Sequence, residues 1–143
     1  MKVCFDTSVL VAAVVDQLAN HENALDCFSR YSARSHDGFC STHALAECFA
    51  TLTALPLPRR IQPVEASQLI QENFVNRLTV IEISRKGYLA SLERVSKLGL
   101  ASGIIYDALH LECAEKTNCS RLYTYNLREF HKLQPEQVSV TAP

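Results

Sequence analysis

The chain has 143 residues, 14 Lys+Arg against 15 Asp+Glu, and 48% hydrophobic residues, the size and make-up of one globular domain spanning 1–143. That balance excludes a disordered segment, which lacks apolar residues and carries high net charge, and a polycationic nucleic-acid wrapper, which needs a strongly basic surface. With only four Gly and five Pro, it also argues against a loop-rich β-sandwich or barrel.

Six cysteines stand at 4, 27, 40, 48, 113 and 119, too few for a disulfide scaffold and with no C-x-x-C pair. Free buried thiols in a reducing cytoplasm are the expectation. The one long apolar run, Ser8 to Val15, lies between Asp6 and Asp16. It is shorter than the roughly 18 residues a membrane span needs, and an acid ahead of it is unlike a signal peptide. An intact cytoplasmic chain with no membrane role is expected.

In chain order, Lys2–Phe5 suits a short buried strand. Ala24, Leu25, Phe28 and Tyr31 recur at helical spacing. Gly38–Ser41 reads as a second strand. A helix follows from about Thr42, with its apolar stripe on Ala44, Leu45, Cys48, Phe49 and Leu52. Leu55 to Gln62 is a breaker segment, and Pro63 suits the first position of the next helix, whose stripe is Ala66, Leu69, Ile70 and Phe74. Leu78–Ile83 is the clearest strand. Ser84 is placed to cap a helix carrying Tyr88, Leu89, Leu92 and Val95. Gly99 and Gly103 bracket a loop before a helix from about Tyr106 to Lys116. Arg121–Tyr125 reads as a strand, and Val138–Thr141 as a last edge strand. Strands alternating with helices imply βαβ units and a mainly parallel sheet of four or five strands in an α/β/α sandwich. Such sheets bind ligands outside the carboxyl ends of their strands, where strand order reverses.

That rule directs attention to particular acids. Asp6 ends the first strand, as N-cap or functional carboxylate. Asp107 shares a helix face with Leu111 and Ala114, where an ionised carboxylate is costly without a cation or donors. Glu47 sits on the shoulder of an apolar stripe. Asn126 follows a strand as Asp6 does, as a turn or cap residue or a site group, and Glu129 is its capping-box partner or a further acid. Clustered carboxylates repel one another. Mg²⁺ or Mn²⁺ relieves that repulsion, and a carboxylate–metal cleft suits phosphodiester hydrolysis.

Other candidates are weaker. His43 precedes Glu47 by one turn and His110 follows Asp107 by three residues, so either could border the cleft, but neither has zinc-ligand spacing and ordinary packing explains both. Arg59-Arg60, Arg85-Lys86, Arg94 and Lys97 are solvated charges or phosphate contacts. No Gly-rich phosphate loop is present. Asp6-Thr7-Ser8 is similar to the start of an Asp-nucleophile phosphatase motif, but Ser8 stands where that motif has its second Asp.

Four blocks taken together resemble the PIN-domain family, in particular VapC-like toxin nucleases. They are Val3 to Val11 around Asp6, Ala46-Glu47-Cys48-Phe49-Ala50, Tyr106-Asp107-Ala108-Leu109-His110, and Tyr123 to Phe130 around Asn126. The resemblance implies an α/β/α fold and a Mg²⁺- or Mn²⁺-dependent endoribonuclease acting on RNA. It places direct metal ligation on Asp6 and Asp107. Glu47 would act through water, and Asn126, where the family often has Asp, would complete the site with less negative charge. Glu129 is the acid that could compensate. The resemblance also implies the toxin of a type II toxin–antitoxin pair: a homodimer held inactive by a cognate antitoxin, commonly a DNA-binding repressor. Two alternatives stand beside it: a PIN-like domain that binds RNA or protein without cleaving, and a phosphatase-like hydrolase using Asp6 as nucleophile.

Overall fold

Five short strands form one parallel sheet in the computed structural model, which describes residues 1–32 and 36–143. They are β1 (Val3–Phe5), β2 (Gly38–Ser41), β3 (Thr79–Ile81), β4 (Arg121–Tyr123) and β5 (Ser139–Thr141), in the order β3-β2-β1-β4-β5. Val3 pairs with Gly38 on one side and with Arg121 on the other, so β1 is central. After β3 the chain returns past β1 to build β4 and then β5. Strand order therefore reverses at β1, and its carboxyl end opens beside that of β4.

Period-two alternation along β1 creates two cores. Val3 and Phe5 point into one, with Phe28, Leu52 and Phe74; Cys4 points into the other, with Ala108, Leu111 and Phe130. The first is covered by α1 (Thr7–Val14), α2 (His21–Ser32), α3 (Thr42–Ala54), α4 (Pro63–Leu69) and a π-helical turn (Ile70–Val75). The second is covered by α5 (Arg85–Lys97), α6 (Ile104–Lys116) and α7 (Leu127–Lys132). This is the expected three-layer α/β/α sandwich. Within the π-helical turn, Asn73 Nδ2 donates to Leu69 O at 3.0 Å, a side chain inserted into the backbone ladder where the helix widens.

Several element readings hold and others need correction. Ser84 caps α5 by accepting from Gly87 N, and Gln62 and Pro63 open α4 with a capping box to Glu65. The strand expected over Leu78–Ile83 is only Thr79–Ile81, at the sheet edge and partly exposed. The strand expected to reach Tyr125 stops at Tyr123, where the Thr124 hydroxyl accepts from Asn126 N and turns the chain. Helix α6 starts at Ile104, two residues early. In α3 the buried stripe is Ala44, Cys48 and Leu52, while Phe49 is exposed. In α5 the buried residues are Gly87, Ser91 and Val95, whereas Tyr88, Leu89 and Leu92 face outward. Small residues let α5 lie close to α6: a Cβ at Gly87 would stand 3.1 Å from Ile83 Cγ2 and 3.5 Å from Glu112 Cγ. All six cysteines are free and buried. Among the described residues, no helix is long and apolar enough to cross a membrane.

Candidate active site

The site is built where β1 and β4 end side by side. Asp6 N donates to Tyr123 O at 3.0 Å, continuing the strand pairing by one residue before α1 begins. Asp6 is the N-cap of α1, but its side chain makes no capping bond. Its Oδ2 instead accepts from Ser8 Oγ at 2.8 Å and Thr124 Oγ1 at 2.7 Å, with Asn126 Nδ2 at 3.5 Å. Both hydroxyls are themselves anchored by backbone: Ser8 Oγ accepts from Tyr125 N and Thr124 Oγ1 from Asn126 N. The carboxylate is thus 2% exposed and fixed by donors from two chain segments.

On the other side, α3 and α6 bring in Glu47, Asp107 and His110. His110 is fully buried. Its Nε2 donates to Glu47 Oε1 at 2.6 Å and lies 3.5 Å from Asp6 Oδ1, and its Nδ1 meets Ser41 Oγ at 3.2 Å. Ser41 Oγ also caps α3 by accepting from Ala44 N, and its second lone pair is free to accept from His110 Nδ1. His43 Nε2 stands 3.2 Å from the same Glu47 Oε1 but makes no hydrogen bond, and its ring stacks on Tyr106 at 4.9 Å between centroids.

Asp6, Glu47, Asp107 and Asn126, the four residues singled out in the sequence, line one cavity of about 310 Å³, along with Ser8 and Thr51. Asp107 also borders a second cavity of about 490 Å³, walled by Ser102, Gly103, Glu129 and Lys132. Glu129 does not serve as a capping-box partner: Asn126 makes no side-chain capping bond, and Glu129 Oε1 accepts from Lys132 Nζ at 2.9 Å. Asn126 therefore sits on the Asp6 side and Glu129 on the far side of Asp107.

Electrostatics show that this cluster carries excess negative charge. Burial, reinforced by the charges of Asp6, Glu47 and Glu129 and opposed by His110, pushes the Asp107 pKa up to about 7. Burial would also raise Glu47, but the bond and charge of His110 and the charge of His43 outweigh it, so Glu47 is lowered. Burial disfavours a charged His110, yet Glu47, Asp6 and Asp107 together raise its pKa. The two shifts agree on a His110–Glu47 ion pair, which leaves Asp107 as the carboxyl without a counter-charge.

The donor set fits a hard divalent cation, because it consists of carboxylates and an amide, all oxygen donors. Among the described residues no three His, Cys, Asp or Glu side chains form a ready-made metal cage. Mg²⁺ does not require one: it is commonly held through one or two carboxylates, several waters and substrate phosphate. Asp6 and Asp107 meet that need, and the raised Asp107 pKa is the imbalance a cation would relieve.

A PIN-domain profile matches residues 3–134, nearly the whole chain. The chain belongs to the PIN-domain family. Ribonuclease VapC40 of Mycobacterium tuberculosis is 27% identical over 135 residues, covering 94% of each chain. The crystal structure of Mycobacterium tuberculosis VapC20, described as a sarcin-ricin loop cleaving toxin, superposes with a TM-score of 0.75 at 16% identity, over 96% of this chain and 98% of that one. The Rickettsia felis VapBC2 structure, bound to a DNA fragment from their promoter, gives a TM-score of 0.68 at 20% identity, with both chains fully covered.

In this PIN domain the histidines are the residues that sequence reasoning undervalued. His110 joins Ser41, Glu47 and Asp6, and His43 joins Glu47 to Tyr106. The usable signal was spacing: His43 and Glu47 are one turn apart on α3, and His110 follows Asp107 on α6. Unlike Ser8 and Thr124, the neighbouring Thr7 is buried with no hydrogen-bond partner for its Oγ1.

Proposed function

We propose that the chain is a metal-dependent endoribonuclease and the toxin of a toxin–antitoxin pair. The observation that carries this reading is the meeting of Asp6, Glu47, Asp107 and Asn126 on one cavity at the carboxyl edge where strand order reverses. Asp6 and Asp107 would hold Mg²⁺ or Mn²⁺ there, which would supply Lewis acidity toward the phosphoryl oxygens and toward water. The protein's own groups do the rest. Ser8 and Thr124 hold Asp6 in one orientation. His110 and Ser41 orient Glu47, whose carboxylate is placed to direct the attacking water. Asn126 closes the Asp6 side with its amide, so the site has one negative charge fewer than with Asp. An Asp6 already held by two hydroxyls suits a fixed ligand better than a covalent nucleophile.

The likeness to VapC40, VapC20 and VapBC2 supports an RNA substrate and an antitoxin partner. A homodimer in the cytoplasm completes the reading by family resemblance. The test is incubation of the purified protein with structured RNA and Mg²⁺ or Mn²⁺, beside EDTA and Asp6→Asn controls. Cleavage is expected with metal alone and is lost in both controls. Absence of cleavage with metal, or unchanged cleavage by Asp6→Asn, overturns the enzyme reading. The toxin reading expects expression to arrest growth and a neighbouring small gene product to relieve it.

A further inference from the structure

Three of the basic residues noted in the sequence as phosphate contacts are engaged within the chain. Arg59 pairs with Glu65 at 3.0 Å, Arg94 with Glu115 at 2.9 Å and Lys97 with Glu93 at 2.8 Å. The cleft itself is lined by carboxylates. Phosphate contacts normally dominate nucleic-acid affinity, and beside an acidic cleft a grip that does not depend on charge adds to those made further out. Aromatic stacking is such a grip, because every base has a π-face.

One exposed ring stands in the right place. Tyr106 immediately precedes Asp107 at the start of α6 and is 48% exposed. One face is covered by His43, with the rings 11° from parallel, so the stack is offset and fixed. His43 is held in turn between Tyr106 and Glu47: its Nε2 is 3.2 Å from Glu47 Oε1, and its ring is 5.9 Å from that of His110. A chain of packed groups thus runs from the buried carboxylates out to a half-exposed aromatic face, one layer of rings beyond Glu47. The stack on His43 fixes the orientation of the Tyr106 ring and leaves its other face to solvent. Bases of unpaired RNA stack on such rings, and recognition of single-stranded loops relies on them.

We propose that the exposed face of Tyr106, backed by His43, is a nucleobase-stacking subsite for a nucleotide next to the scissile phosphate. The inference rests on the ribonuclease reading and deepens it: the substrate class is RNA with an unstacked base beside the cleavage point, as in a loop, bulge or end. Tyr106 touches the base and not the reacting atoms, so it is a positioning residue.

The chain contains no Trp, so Tyr106→Trp installs a single fluorescent reporter at the subsite. With EDTA present to prevent cleavage, a single-stranded RNA oligonucleotide should quench its emission saturably. Tyr106→Phe should bind that oligonucleotide as wild type does. Tyr106→Leu should bind about 5- to 150-fold more weakly, the range for losing one stacked base, with an unchanged circular-dichroism spectrum. An abasic oligonucleotide of equal length should bind wild type and Tyr106→Leu equally, which a merely structural role for Tyr106 would not produce. Wild-type affinity and KM in Tyr106→Leu, with wild type still cleaving, overturn the subsite and leave the ribonuclease reading standing. The same result accompanied by weakened binding of a partner protein reassigns the ring to protein docking and equally overturns it. A wild type that neither binds nor cleaves RNA overturns both readings.

Discussion

Asp107 is where the site's unbalanced charge is concentrated, and this has a measurable consequence for the metal-free protein. Its folded pKa is about 7, against an ordinary 3.8. The folded state therefore binds this proton more tightly than the unfolded chain, and the group removes stability as pH rises from about 4 to about 7. The penalty is full above that window and absent below it. Asp107→Asn is accordingly expected to raise the melting temperature in EDTA at pH 8, by an increment that shrinks to nothing near pH 4. Thermal unfolding of both proteins across that range checks the sign; an Asp107→Asn protein less stable than wild type at pH 8 would contradict it. Asp6 and Asp107 could be found in the sequence because an acid set among apolar positions has little reason to be there unless it binds something. His110 could not. A His on an apolar helix face is usually satisfied packing, and the partner that gives it a role, Glu47, is 63 positions away in the chain.

At the scale of elements, α5 shows where pattern reading loses phase. Apolar residues at 3.6 spacing locate the helix, and Ser84 marks its start. They misplace its buried face, because close approach to α6 selects Gly87 and Ser91 and leaves Tyr88, Leu89 and Leu92 outside. Arg94 reinforces the same face by donating to both carboxylate oxygens of Glu115, at 3.1 and 2.9 Å. Leu92→Glu should therefore change stability by less than about 0.5 kcal/mol. Leu111→Ala, a fully buried side chain of α6, should cost about 2–5 kcal/mol. Denaturant titration of the two variants separates the assignments, and a reversed ranking would restore the outward leucine to the core. The sequence pattern overextends the strand ends for a related reason. β-propensity continues through Thr124 and Tyr125, and only the tertiary bonds from Thr124 to Asp6 and Asn126 show why the chain turns there.

At the scale of the whole molecule, topology assembles the site. Positions 6, 47, 107 and 126 meet because five parallel strands are ordered so that the first lies between the second and the fourth. That much follows from alternating strands and helices and the rule that ligands bind where strand order reverses. The near-zero net charge also acquires a meaning once the ion pairs of Arg59, Arg94 and Lys97 are known. Binding of single-stranded RNA in EDTA should depend only weakly on salt, with a log–log slope no steeper than about −2, or roughly three phosphates neutralised. A slope several times steeper, measured by fluorescence anisotropy, would reveal a basic RNA track absent from this reading. The most direct test of the metal-centre reading adds Mn²⁺ back to metal-stripped protein and follows RNA cleavage, with wild type beside Asp107→Asn. Wild type should recover cleavage saturably, while Asp107→Asn stays inactive despite being the more stable fold; cleavage without metal, or a wild-type Mn²⁺ response in Asp107→Asn, would contradict the assignment of this carboxylate cluster as the catalytic centre.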